Sequence, residues 1–123
     1  MRVSDVYRPQ LLTCEASELL PAVAQKMVAE NVGVLAVVDG TRVAGIISER
    51  DITRATAEHR DPTACTAAHY ASTDLEVATL NDETRQVANR MLESGVRHLP
   101  VLEDNEMVGM VSIRDLLAAE TWA

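Results

Sequence analysis

Apolar residues recur at helical spacing in two stretches of the chain. Leu20, Val23, Ala24, Met27 and Val28 share one face of a helix predicted over residues 17–31, and Val87, Ala88, Met91 and Leu92 share one face of a helix over 81–95. Ser17 is the expected N-cap of the first, Asn81 or Asp82 of the second. Pro21 is tolerable because it falls within a first turn, and Gly95 supplies a stop. After each helix come two β-rich runs around a polar turn, "VLAVVDG" with "RVAGIIS" and "RHLPVLEDN" with "MVGMVS". These read as hairpins turning at Asp39-Gly40 and Asp104-Asn105. A further helix follows each hairpin, in "ERDITRATAEH" and "IRDLLAAETWA", and a short strand precedes each first helix, around "QLLT" and "LEVAT". The order β-α-β-β-α therefore occurs twice, an α+β (α/β-like) arrangement with a small sheet in each half.

The two halves also share residues. "GIISERD" at 45–51 returns as "GMVSIRD" at 109–115, an offset of 109 − 45 = 64 positions. At that offset residues 27–51 show eight identities without a gap: Met27, Val32, Leu35, Val37, Gly45, Ser48, Arg50 and Asp51 meet their own kind. Chance gives about two at the ~7% frequency of a common residue. The chain is a tandem repeat, divided here as 1–59 and 66–123 with a linker at 60–65, where Asp61-Pro62 interrupts a stretch of little periodicity. A half of about 60 residues is marginal alone, so the halves are expected to share one core.

Composition narrows the function classes. A net charge of −8 opposes nucleic-acid binding, which needs a basic surface. With no Phe, one Trp and two Tyr, the core must be aliphatic. The opening "MRVSDVYRPQ" lacks the apolar centre of a signal peptide, and "VGVLAVV" is too short to span a bilayer, so a soluble, cytoplasmic protein is expected. Cys14 and Cys65 have no metal-binding spacing and read as reduced, small core residues rather than a disulfide.

The repeated Ser-x-Arg-Asp stands where a helix begins. Ser48 and Ser112 occupy N-cap positions, beside free backbone N–H groups that favour anions such as phosphate. Arg50 and Arg114 add fixed positive charge of bidentate geometry. Asp51 and Asp115 each offer a carboxylate able to accept two hydrogen bonds from a vicinal diol such as that of ribose. Gly45 and Gly109 allow a backbone or a ligand to approach the strand closely. Together these are the parts of a nucleotide site. The same spacing is also a capping-box variant, in which the acid serves only its own helix.

The series of amphipathic helix, "GVRHLPV" strand, "VGMVS" strand and "IRDLL" helix resembles the cystathionine β-synthase (CBS) domain, and two such units resemble a CBS pair, or Bateman module. The likeness spans residues 2–58 and 66–121 and is most specific in "GVRHLPVLEDNEMVGMVSIRDLL"; the first repeat departs from it with Ala36 in the place of Pro100. The resemblance implies two β-α-β-β-α repeats stacked as a pseudo-twofold pair, a homodimer, and AMP, ADP, ATP or S-adenosylmethionine bound in clefts between the repeats. Asp51 and Asp115 would then hold ribose, Ser48 and Ser112 ribose or phosphate, and Arg50 and Arg114 phosphate. Leu35, Ala36, Val37, Leu99, Pro100 and Val101 would flank the adenine. Thr13 matches a pocket threonine of the family, for which the second repeat substitutes Val77. No cofactor is required by this reading beyond the regulatory nucleotide, with Mg²⁺ accompanying ATP.

The expected function is a ligand-sensing regulatory module that acts on a protein partner in trans. The alternative is a dimerising structural pair without nucleotide binding. An enzyme is not expected: Ser48, His98 and Asp51 suggest a triad only on paper, because no nucleophile elbow surrounds the serine and the histidine is not doubled with its partners. His98 reads as a partly buried structural histidine in preference to a phosphate ligand. His59 and His69 lie without metal-like spacing to each other or to Cys65. Trp122 is expected to clasp the last helix or to meet a dimer mate.

Overall fold

In the computed structural model, which describes residues 1–73 and 76–122, each repeat forms a three-stranded sheet with helices packed on it. The first comprises β1 (Thr13–Glu15), α1 (Leu20–Glu30), β2 (Val34–Asp39), β3 (Arg42–Ser48) and α2 (Glu49–Glu58). A short helix, α3 (Ala67–Tyr70), lies in the connector. The second comprises β4 (Ala78–Thr79), α4 (Thr84–Ser94), β5 (His98–Glu103), β6 (Glu106–Ser112) and α5 (Ile113–Trp122). In both sheets the first strand pairs parallel to the second, which pairs antiparallel to the third. The α+β class and the doubled β-α-β-β-α order are as expected; the side chain of Trp122 lies outside the described residues.

Each unit contains a core of its own. Leu20, Val23, Met27, Leu35, Val37 and Ile47 form one cluster; Val87, Met91, Leu99, Val101, Val111 and Leu116 form another. Both are aliphatic. The helical stripes are narrower than the sequence suggested: Val23 and Met27 are buried, but Val28 is 81% exposed and its repeat counterpart Leu92 59% exposed. One residue turns a helix by about 100°, which carries these side chains off the buried face.

The compact units do not follow the division of the sequence. One spans Leu12–Leu75; the other joins Met1–Leu11 to Glu76–Ala123. Each repeat therefore lends its leading segment to the other repeat's sheet. Arg8 bridges Met110 on β6, with N–H···O distances of 2.8 and 2.9 Å, while Ser72 bridges Ile46 on β3 at 2.8 and 3.0 Å. Gly109 and Gly45 make this approach possible: a Cβ at Gly109 would lie 2.2 Å from the Arg8 carbonyl oxygen, and one at Gly45 2.7 Å from that of Ser72. The closely approaching group is thus the backbone of the crossing segment. Val3 is fully buried in the second unit's core, which anchors the segment Met1–Leu11 there.

Remote backbone carbonyls stand where the expected N-caps would act. Helix α1 begins at Leu20 with Leu19 as N-cap, and the Leu20 N–H donates to the Cys65 carbonyl at 3.0 Å. Helix α4 begins at Thr84 with Glu83 as N-cap, and the Thr84 N–H donates to the Met1 carbonyl at 3.0 Å. Neither Ser17 nor Asn81 caps a helix. Asp82 instead accepts from the N–H and hydroxyl of Thr79, both at 2.9 Å. A carbonyl supplied by tertiary structure satisfies a terminal N–H as well as a side chain does. Gly95 ends α4 with φ +75°, as expected, and Asn31 ends α1 in the same left-handed region.

Candidate functional site

The two Ser-x-Arg-Asp elements stand at equivalent helix starts and are wired differently. In the first unit, Ser48 ends β3 and caps α2. The Asp51 carboxylate accepts from the Ser48 N–H at 2.8 Å and from its hydroxyl at 3.0 Å, and the Ser48 oxygen accepts from the Asp51 N–H at 3.4 Å. This is a reciprocal capping box. Arg54, one turn on, reaches the other carboxylate oxygen at 3.6 Å, and the Asp51 side chain is 15% exposed.

In the second unit the Asp115 N–H still donates to the Ser112 hydroxyl, at 3.0 Å. The carboxylate, however, is held by Arg8. Arg8 Nε lies 2.9 Å from Asp115 Oδ2 and Nη2 lies 3.4 Å from Oδ1, a two-pronged contact joining residues 107 apart in the chain. The bond from Arg8 depresses the Asp115 pKa; burial opposes it, and the remaining contributions, from the charge of Arg8, the bond from Ser112 and the charge of Arg114, act in the same direction as Arg8. Arg8 and Asp115 edge an open depression of about 370 Å³, otherwise bounded by Met1, Val6, Ala118 and Ala119.

The other expected site residues separate into two groups. Leu35 and Val37 belong to the first core, Leu99 and Val101 to the second, and Ala36 and Pro100 are buried on the same central strands. Thr13 pairs with Ala36 in the sheet register, and its carbonyl accepts from Lys26 at 3.0 Å. The carbonyl of Val77 accepts from Arg90 at 2.9 Å in the equivalent arrangement. Because Pro100 has no N–H, the bond that Ala36 donates to Leu12 at 2.9 Å has no counterpart in the second sheet, where pairing of β4 begins one position later. Arg50 and Arg114 are exposed. The cations that engage the two aspartates are Arg54 and Arg8 instead.

His98 lies opposite Ser112 in the sheet and is half-buried; burial lowers its pKa, with Asp115 acting in the opposite direction. His59 and His69 join Tyr70 in a packed aromatic group, their own centroids 5.5 Å apart. Cys14 and Cys65 are free thiols, and burial pushes Cys14 up to about 11. Among the described residues no three His, Cys, Asp or Glu side chains gather as a metal site.

The residue that sequence reasoning missed is Arg8. In the repeat register it corresponds to Ser72, so no doubling marks it, and only the exchange of leading segments brings it to Asp115.

A doubled Ser-x-Arg-Asp, once on each of two three-stranded sheets, agrees with the family resemblance, and the CBS domain model matches residues 3–58 and 67–121. The chain belongs to the CBS domain family. This CBS pair is 35% identical over 120 residues to an uncharacterized 17.7 kDa protein of Acidianus ambivalens, covering 96% of this chain and 72% of that one. Among solved structures it is similar to the CBS domain pair of protein MJ0100 in complex with 5′-methylthioadenosine and S-adenosyl-L-methionine, with a TM-score of 0.88 at 22% identity, covering 99% and 97% of the two chains. It is also similar to Hypoxic Response Protein I with two coordinated zinc ions, with a TM-score of 0.85 at 28% identity, covering 96% and 98%. No helix among the described residues is long and apolar enough to cross a membrane.

Proposed function

We propose that this CBS pair is a non-catalytic regulatory module that binds an adenosine-containing ligand, AMP, ADP, ATP or S-adenosylmethionine, and passes that state to a protein partner in trans. The observation that carries this reading is the Asp115 carboxylate. It accepts from Arg8, 107 residues away in the chain, at the edge of an open depression. A carboxylate so placed can accept from both hydroxyls of a ribose, beside a helix start that favours the phosphate. The adenosine ligands named for the MJ0100 pair support the same ligand class. A homodimer in the cytoplasm, with Mg²⁺ accompanying ATP, completes the proposal.

Titration of the purified protein with AMP, ADP, ATP, S-adenosylmethionine and guanosine nucleotides tests it. A ligand at about 100 times its Kd stabilises the native state by about 2.7 kcal/mol, which melting curves resolve. Binding of an adenosine ligand that Asp115→Asn abolishes, with little change in melting temperature, is expected. Failure of the whole adenosine panel overturns the reading. The second reading, a scaffold without nucleotide, is favoured by Asp51, whose carboxylate is engaged in capping α2.

A further inference from the structure

We propose that Arg8 is an exchangeable counter-ion of Asp115 that makes the second unit's site select a ribonucleotide over the corresponding uncharged nucleoside. This rests on the reading of Asp115 as a ribose acceptor. Arg8 presents N–H donors to both oxygens of the carboxylate, the positions a vicinal diol needs. The two occupants are therefore exclusive. A neutral diol that displaces the guanidinium leaves a cation without its partner. A ligand carrying a phosphate beside the diol gives that cation a new partner of the same bidentate geometry.

The local structure permits the exchange. Arg8 is fixed at its backbone by the two hydrogen bonds to Met110 and by the buried Val3 upstream. Its side chain is 69% exposed, so the guanidinium can leave Asp115 while the segment stays in place. The Asp115 side chain is 24% exposed and remains N-terminal in α5, with the Ser112 hydroxyl holding its N–H. Arg114 adds a second exposed cation on the same helical turn. The first unit lacks the two-pronged contact: Ser72 occupies the equivalent place on the β3 edge, and Asp51 is bound in its own cap with Arg54 on one oxygen at 3.6 Å. Charge selection by this route belongs to the second unit alone.

The test is an NMR titration of the full chain with AMP and with adenosine, using the backbone amides of Ser112 and Asp115 to report this site separately from that of the first unit. In the unsubstituted protein AMP is expected to bind more tightly and to shift the Arg8 Nε–H resonance. Arg8→Gln is expected to weaken AMP about tenfold, the worth of a charge-assisted hydrogen bond. It is also expected to tighten adenosine about two- to fivefold, because a competing surface ion pair is gone. Arg8→Lys, which keeps the charge without the fork, should fall between. An AMP-to-adenosine preference unchanged in Arg8→Gln overturns the exchange while leaving the ribose reading intact, and so does an Arg8 Nε–H signal indifferent to AMP in the unsubstituted protein. Binding of neither ligand by any of the three proteins overturns the exchange, and failure of the rest of the adenosine panel as well overturns both.

Discussion

Asp51 and Asp115 share their helix position, their preceding serine and arginine, and the glycine on the strand before, yet they do different things. Asp51 turns back on Ser48 and completes a capping box. Asp115 keeps only the serine half of that arrangement and gives its carboxylate to Arg8. Part of the difference lies in the helix, where Arg54 reaches Asp51 at 3.6 Å and Ala118 stands at the equivalent place in the second repeat. The rest comes from the residue that the crossing segment delivers, Ser72 in one unit and Arg8 in the other. A serine offers a short neutral side chain, whereas an arginine brings charge and reach. Two equivalent frames thus hold unequal sites.

The sharpest way to break this comparison is to dislodge the segment. Gly109→Ala puts a methyl group against the Arg8 carbonyl, and neither backbone can yield without losing the bridge to Met110. Overpacking of this kind costs about 2–3 kcal/mol, read by denaturant unfolding. Gly45→Ala should cost less, because its added Cβ would be 2.7 Å from the Ser72 oxygen, against 2.2 Å at Gly109. Equal effects would deny that the two crossings differ in tightness.

A smaller effect is expected from the aspartates themselves. Asp51→Ala removes the acceptor for the Ser48 N–H and hydroxyl and should cost about 1 kcal/mol, the usual worth of a cap. Asp115→Ala should cost less, since Ser112 still caps α5 and the lost partner is a solvent-exposed arginine. If thermal unfolding ranks the two the other way, the assignment of cap and counter-ion is reversed.

The pH dependence follows from the Asp115 shift. Its carboxyl is more acidic folded than unfolded, so the unfolded chain binds more protons as acid is added. The stabilisation is complete above the ordinary carboxylate range of about 4 and is lost as pH falls through the lower folded value. Arg8→Gln removes the leading cause, so its loss of stability between neutral pH and about pH 3 should be shallower than that of the unsubstituted protein. Identical slopes would show that Arg8 does not set the shift. The smallest effect is at Val28 and Leu92: replacement of either by Ser should change monomer unfolding by less than about 0.5 kcal/mol, because both side chains already face out.

Much of the frame was legible in the chain. Helical and strand periods, Gly95 as a stop and the doubled motif are local features, and local features survive in sequence because backbone geometry enforces them. The Asp104-Asn105 turn is one of these, with φ of 52° and 66° at its two residues, where Asn and Asp tolerate left-handed backbone better than most. The expected N-caps failed for a different reason: the N–H groups of Leu20 and Thr84 bond to Cys65 and Met1, and nothing in a helical stripe records that a remote carbonyl will arrive. The expected adenine-flanking positions on β2 and β5 are buried, since a central strand covered on both faces reads as a continuous apolar run whatever covers it.

By itself the sequence determined the repeat, the element order and the pair of helix starts bearing serine and aspartate, because spacing along the chain is what those features consist of. Only the tertiary structure decided that the leading segments cross between repeats, that Gly45 and Gly109 make room for backbone, and that Asp115 meets Arg8 while Asp51 closes on its own helix. Those outcomes depend on which distant atoms compete for the same hydrogen bonds, and that competition is settled in space, after the chain has folded, between residues that share no local pattern.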